Sequence, residues 1–274
     1  MAFHTLCGSD PFLDFIRNTY DAIPLRVPDT RIQPLSLFLT IGKRVRIVGD
    51  LAQLQPADWV SPPFHTADLA AVSHQSTNSL SWSVVTDLLG PLLTQMLTAA
   101  QIDITASLRA ARARNDRVRL VLGGTKRSFV DPIVCALALQ NNPVKLPQIF
   151  GAEIGNGSSK PLYITDSILT AKHISISSDD DANGEFAAKL ESDLVGKLSP
   201  KAMLRRKSGL TITANEPFPF AFTCLQLSVN ETLEVDGVQV HGSSKFLGAT
   251  EAGAMTPQSH SILGEPDQMV RFDD

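Results

Sequence analysis

The sequence predicts an α+β protein, and three observations carry that reading. The apolar residues change their period twice between Leu80 and Leu122, from two to helical and back to two. The same strand–helix–strand order recurs between Leu162 and Phe222. The composition, 43% apolar and 19% charged over 274 residues, is that of a globular chain able to bury a core.

In chain order, Ser9 or Asp10 can cap a short amphipathic helix over residues 9–18, with Pro11 at its first position and Phe12, Phe15 and Ile16 on one face. Cys7 stands just before that cap, either as an unmodified small residue or as a thiol open to acylation. Pro24, Pro28 and Pro34 break the next segment into extended pieces. A strand pair follows: Leu35–Ile41, a turn at Gly42-Lys43, then Val45–Val48 ending at Gly49-Asp50. Residues 55–66, with Pro56, Pro62 and Pro63 around Trp59, read as a surface loop.

In the first changing stretch, Leu80, Trp82 and Val84 alternate with Ser79, Ser81 and Ser83, as in a half-buried strand. Helix spacing takes over from Val85 to Leu97, and Ile102, Ile104, Ala106 and Leu108 then restore the alternation. Thr86, Asp87, Thr94, Gln95 and Thr98 make residues 84–100 too polar for a spanning helix, which needs about 20 mostly apolar residues. A basic run follows at Arg109, Arg112, Arg114, Arg117 and Arg119. It is either a solvated face or a surface drawn to anionic lipid headgroups.

Asp131-Pro132 starts a short helix over 131–140 that carries Ile133, Val134, Leu137 and a buried Cys135. Residues 151–160 read as a flexible link. The second stretch opens with Leu162 and Ile164, and Ile174 and Ile176 alternate with Ser175 and Ser177. Asp179, Asp180 and Asp181 lack the spacing of a calcium loop. A helix from Glu185 to Leu198 comes next, ended by Pro200, then a second basic cluster at Lys201, Arg205, Arg206 and Lys207. Leu210 and Ile212 alternate with Thr211 and Thr213, and Phe218, Phe220 and Phe222 line one face of a strand running on towards Leu227. Beyond Val235, small polar residues and glycines surround isolated apolar anchors, among them Ile262, Leu263, Met269 and Phe272. The chain therefore divides into a main domain, 1–236, and a tail, 237–274.

The net charge of −4 argues against a nucleic-acid partner. Three widely spaced cysteines, Cys7, Cys135 and Cys224, suit a reducing compartment. No basic region followed by an apolar run opens the chain, so a cytoplasmic rather than secreted resting form is expected. The six histidines are scattered without metal-ligand spacing, and no phosphate loop or nucleophile elbow is present. No catalytic residue, metal or cofactor is expected. Two stretches of this build suit a chain that converts each into a membrane-crossing β-hairpin, whereas the bland alternative is a soluble α+β binding or scaffold protein.

One resemblance sharpens the choice. A cysteine just before Asp10-Pro11-Phe12, then Val27-Pro28, Ile32-x-Pro34-Leu35, Gly42-Lys43 and Gly49-Asp50-Leu51 resemble the short microbial gasdermins, bacterial or fungal. The likeness continues to about Val229 through Pro217-Phe218-Pro219-Phe220-Ala221-Phe222. It implies a twisted antiparallel sheet with flanking helices, an autoinhibited monomer and, once an activating protease removes the tail, a self-oligomer that permeabilises a membrane through two hairpins per subunit. It implies palmitoylation of Cys7 and a role in cell death for defence. Under it, the hairpin candidates are Leu80, Trp82, Val84, Ile102, Ile104, Leu108, Ile174, Ile176, Leu210 and Ile212. Cleavage is expected near Lys245, Phe246 and Leu247.

Overall fold

The computed structural model describes residues 16–17, 19–25, 31–41, 44–55, 59–70, 72–73, 118–148, 162–178, 184–194, 203–206, 209–230, 232–239 and 272–273. Its centre is a pair of very long antiparallel strands, β9 (Leu162–Ser178) and β11 (Gly209–Val229). Most strands run three to ten residues, and ones this long coil and need irregularities to stay paired. The ladder supplies three register shifts, at Thr213/Phe218, Pro219/Ala221 and Thr223/Cys224.

The remaining strands attach to the flanks of this pair. On the β9 side, β2 (Ser36–Ile41) pairs with Leu162–Ile164, β7 (Lys126–Phe129) with Ser167–Thr170, and β6 (Val118–Gly123) with His173–Ser178. Outside these lie β3 (Arg44–Asp50) on β2, β4 (His65–Asp68) on β7 and β5 (Val72–Ser73) on β6. On the β11 side, β10 (Met203–Arg206), β1 (Ile23–Pro24) and β12 (Glu234–Gln239) follow one another along the strand, with β8 (Val144–Lys145) beyond β12. Every pairing is antiparallel except that of β13 (Phe272–Asp273), which lies parallel on the outer edge of β3. The expected antiparallel sheet with flanking helices is the fold found.

Alternation explains where the core sits. From Leu162 to Leu169 every residue of β9 is buried, so both sheet faces are covered. On one face Leu37, Leu39, Leu162, Ile164, Leu225, Leu227 and Val235 pack with Cys135 and Leu139 of a helix, Pro132–Asn141. On the other, Phe38 stacks on Tyr163 at 5.5 Å between ring centroids and meets Phe222 edge-on at 5.6 Å. Below Thr170 Ala171 is buried, Lys172 is part exposed, and a strict alternation then sets in, with Ile174 and Ile176 buried against part-exposed His173, Ser175 and Ser177.

Three helices among the described residues carry labels here: α1 (Leu51–Leu54), α2 (Pro132–Asn141) and α3 (Glu185–Leu194). Helical backbone is also present at Ile16, Arg17, Thr19 and Tyr20, and Ile16 is buried as its position on the predicted N-terminal helix requires. In α2 the Asp131 carboxylate accepts from the backbone N–H of Ile133 at 2.8 Å and of Val134 at 3.3 Å, the cap its sequence signals. Cys135 is buried as expected, while Ile133, Val134 and Leu137 face solvent.

Some expectations shift. The loop over 55–66 stops at Phe64, because His65 and Thr66 already pair with β7. The three phenylalanines are all buried, yet two register shifts interrupt the even alternation expected of them. Pro217 and Pro219 have no N–H to give the ladder, which accounts for the irregularity. The strand β12 runs across the 236/237 boundary to Gln239.

Gly209 opens β11 opposite Ser177 of β9. A Cβ there would stand 2.5 Å from the Ile176 carbonyl oxygen and 2.7 Å from Ser177 Cβ. The backbone carbonyl cannot rotate away, so Gly209→Ala should destabilise the chain by about 1–3 kcal/mol. Urea unfolding of the variant checks this, and an unchanged midpoint would mean the strands have room to part.

Candidate functional site

The site is the outer half of the β9–β11 ladder together with β6. Register places Leu122, Ile174 and Ile212 in one cross-strand row and Leu120, Ile176 and Leu210 in the next. All six are at most 1% exposed. Four of the ten hairpin candidates, Ile174, Ile176, Leu210 and Ile212, are thus brought into one apolar block, which Leu120 and Leu122 complete. The other six, Leu80, Trp82, Val84, Ile102, Ile104 and Leu108, lie outside the described residues.

The reverse side of these strands is hydroxyl-rich. Ser175 Oγ and Thr211 Oγ1, directly opposite in the ladder, are hydrogen-bonded at 2.8 Å. Thr213 is exposed, and His173 lies across Gly123, whose missing side chain makes room for the imidazole. One face is therefore dry and the other wet, set by the period of two along each strand.

The helix α3 contacts β9, β11 and β10. Ala187 is fully buried. Arg205 stands opposite Leu210, hence on the dry side, and its Nη1 reaches Glu191 Oε2 of α3 at 3.0 Å. This places α3 over the apolar rows. The pair is part exposed and contributes at most about 1 kcal/mol. Arg205 is thus engaged inside the chain in this state, and Arg206 ends β10 beside Gly209. Arg109, Arg112, Arg114, Arg117, Lys201 and Lys207 lie outside the described residues, as do Cys7, the Asp179–Asp181 run, Lys245, Phe246, Leu247, Ile262, Leu263 and Met269. Of the tail anchors, Phe272 is described, opposite Val45 on β3.

Sequence reasoning missed a buried polar cluster further up the ladder, at Arg127, Asp166, Ser167 and Thr223. The signal was present: Thr165, Asp166 and Ser167 interrupt an apolar strand that is buried on both faces. Burial and the nearby Asp166 carboxylate push the Cys135 thiol up to about 11, so it stays protonated and inert. Among the described residues no group of His, Cys, Asp or Glu is arranged to hold a metal. No described helix is long and apolar enough to cross a membrane, which leaves strands as the elements to consider.

The dry and wet faces differ in what a substitution costs. Ile176→Ala should lower stability by about 2–5 kcal/mol, the range for emptying a buried aliphatic site. Ser177→Ala, one residue on and on the wet side, should change it by no more than about 0.5 kcal/mol. Urea midpoints of the two variants test the face assignment.

Comparisons with known proteins agree with this geometry. A profile of the Bacterial Gasdermin Family matches residues 25–242. Gasdermin bGSDM of Vitiosangium sp. (strain GDMCC 1.1324) is 25% identical over 273 residues, covering 95% of this chain and 96% of that one. The structure of a bacterial gasdermin from Bradyrhizobium tropiciagri superposes with a TM-score of 0.51 at 16% identity, over 82% of this chain and 89% of that chain, a likeness of fold. The stretch from Leu25 to Gly242 holds every described strand except β1 and β13, and with this match the chain belongs to the bacterial gasdermin family, whose members are non-enzymatic pore-forming proteins.

Proposed function

We propose that this chain is held in a resting, autoinhibited fold by its tail, residues 237–274, and that proteolysis within the tail releases it to oligomerise and insert. The observation that carries the reading is the two-faced outer ladder. A transmembrane β-barrel needs strands that alternate lipid-facing apolar with lumen-facing polar residues, in a closed ring without edges. The rows Leu122–Ile174–Ile212 and Leu120–Ile176–Leu210 offer the first face, and Ser175, Ser177 and Thr211 the second.

The ladder is too short as it stands. Ala171–Ser177 spans about 23 Å at 3.3 Å per residue, against a hydrocarbon core of about 30 Å. The missing length has to come from the chain between β9 and β11, which includes α3. Unwinding that helix would bare the apolar rows and lengthen both strands at once. The equivalent stretch at Leu80–Leu108 is proposed to supply the second hairpin.

Restraint by the tail is supported by β13. A bare edge strand is a template for another chain, and Phe272–Asp273 occupies part of that edge on β3. A contact this small holds while tethered, because effective concentration is in the mM range, and fails once the fragment diffuses away. We place the cut around Lys245–Gly253, with Lys245, Phe246 and Leu247 as first candidates. Palmitoylation of Cys7 and the basic clusters would draw the released form from the cytoplasm to an anionic inner or plasma membrane, in a cell-death defence role.

The strand β12 ends at Gln239, so a chain stopped after Val240 keeps every described strand except β13. Such a chain should empty dye from phosphatidylglycerol vesicles while the full chain leaves them intact. Intact vesicles and a monomeric truncated chain would favour the rival reading, a soluble α+β scaffold.

A further inference from the structure

On one flank the strand β9 passes from β2 to β7 between Thr165 and Asp166, before β6 takes over from His173. From the β2 side, the Leu35 N–H donates to the Thr165 carbonyl at 2.7 Å; from the β7 side, the Val130 N–H donates to the Asp166 carbonyl at 2.8 Å. On the opposite flank the ladder skips a residue at the same place. Cys224 pairs with Thr165 and Thr223 with Ser167, leaving Asp166 as the extra residue of a bulge. The strand is buried on both faces through this point as far as Leu169, and the two-faced alternation begins beyond it, at His173.

The bulge lets two consecutive side chains, Asp166 and Ser167, reach one hydroxyl. Thr223 Oγ1 donates to Asp166 Oδ1 at 2.7 Å and lies 2.6 Å from Ser167 Oγ. A hydroxyl has one hydrogen, and that of Thr223 is committed to the carboxylate. Ser167 must therefore donate to Thr223, and its own oxygen accepts from Arg127 Nε at 3.1 Å. The donors run in one direction, Arg127 to Ser167 to Thr223 to Asp166, across three strands. The chain ends on a carboxylate in a residue only 7% exposed.

We propose that this bulge is a proton-sensitive latch between the fixed and movable halves of the sheet: with Asp166 protonated the junction holds, and with Asp166 ionised it opens readily. This rests on the reading of the outer ladder as the inserting ribbon. Burial raises the Asp166 carboxyl above its ordinary 3.8, although the Thr223 hydrogen bond, its own and Ser167 backbone N–H groups and the Arg127 charge all pull the other way. The groups around it are few. From β7 comes Arg127, from β11 Cys224 and from α2 Cys135, both thiols held protonated by desolvation and by Asp166 itself. Leu35 and Ser36, where β2 begins, carry no titratable group. Among the described residues no salt bridge reaches the carboxylate: Arg127 bonds to Ser167, and its charge favours the ionised form from a distance.

The sign of the linkage follows. A carboxyl whose value is raised in the resting fold binds its proton more tightly there than in any form where water reaches it. Between the ordinary and the raised value, the resting fold takes up a proton that the opened form does not hold. Acidification through that window stabilises the resting fold, and raising the pH removes that stabilisation. Each unit of difference is about tenfold in the equilibrium.

The test uses the chain cut after Val240, phosphatidylglycerol vesicles and a dye insensitive to pH, with leakage rates taken from about pH 8 to about pH 5. The wild type should slow on acidification. Asp166→Asn should be slow and flat throughout. Thr223→Val removes the donor that favours the carboxylate and should move the wild-type transition to higher pH. An Asp166→Asn profile that parallels the wild type, or a Thr223→Val transition that does not move, overturns the latch. Urea unfolding of the full chain provides a readout independent of membranes: the wild type should gain stability on acidification relative to Asp166→Asn. Absence of leakage at every pH would count against the pore reading, and the urea series would still decide the latch; parallel urea profiles overturn it.

Discussion

The pairing of β9 with β11 constrains the rest of the molecule. Fourteen register positions join them, and every other described strand attaches to one of the two directly or through one neighbour, save the tail strand, which needs two. Because the ladder is longer than any single neighbour, each flank must be covered by several short strands in succession. That division fixes which parts of the pair are buried on both faces. Where β2 and β12 bracket it, α2 covers one side and the Phe38–Tyr163–Phe222 cluster the other. Where β6 and β10 bracket it, α3 covers one side and the other is open to water.

Much of this was legible in the sequence, and the reason is local. The alternation of Ile174 and Ile176 with serines, and of Leu210 and Ile212 with threonines, marks a half-buried strand whatever it pairs with. Asp131-Pro132 announces a helix start by its own chemistry. The strand pair around Gly42-Lys43 was placed within a residue at most boundaries. What could not be read was set by contacts distant in sequence. Nothing near Leu162 says that β9 runs unbroken to Ser178, because its upper half is buried on both faces and loses the period of two. The strand through Phe218, Phe220 and Phe222 was expected to alternate evenly, but Pro217 and Pro219 bring register shifts into its ladder. The Asp166 cluster needs Arg127 and Thr223 from other strands, and no spacing rule joins those positions.

The polar cluster and the thiols illustrate how the interior treats charge. Two hydroxyls, Ser167 and Thr223, relay a single guanidinium to one carboxylate, whose charge also bears on Cys224. Buried networks of this type specify one arrangement of strands, since a shifted register would strand the carboxylate without its donor. Burial first, and then the same carboxylate, keep Cys135 protonated, so the interior thiol resists oxidation.

The two ends of the tail are fastened at opposite margins of the sheet: Gln239 closes β12, and Phe272 lies on β3. In the strand order β12 and β13 are five spacings apart, about 24 Å if the sheet were flat. The chain between Gln239 and Phe272 reaches about 100 Å when extended. The span between the two fastened strands therefore sets no tight limit on how many residues join them, and that number can change without altering the distance to be bridged.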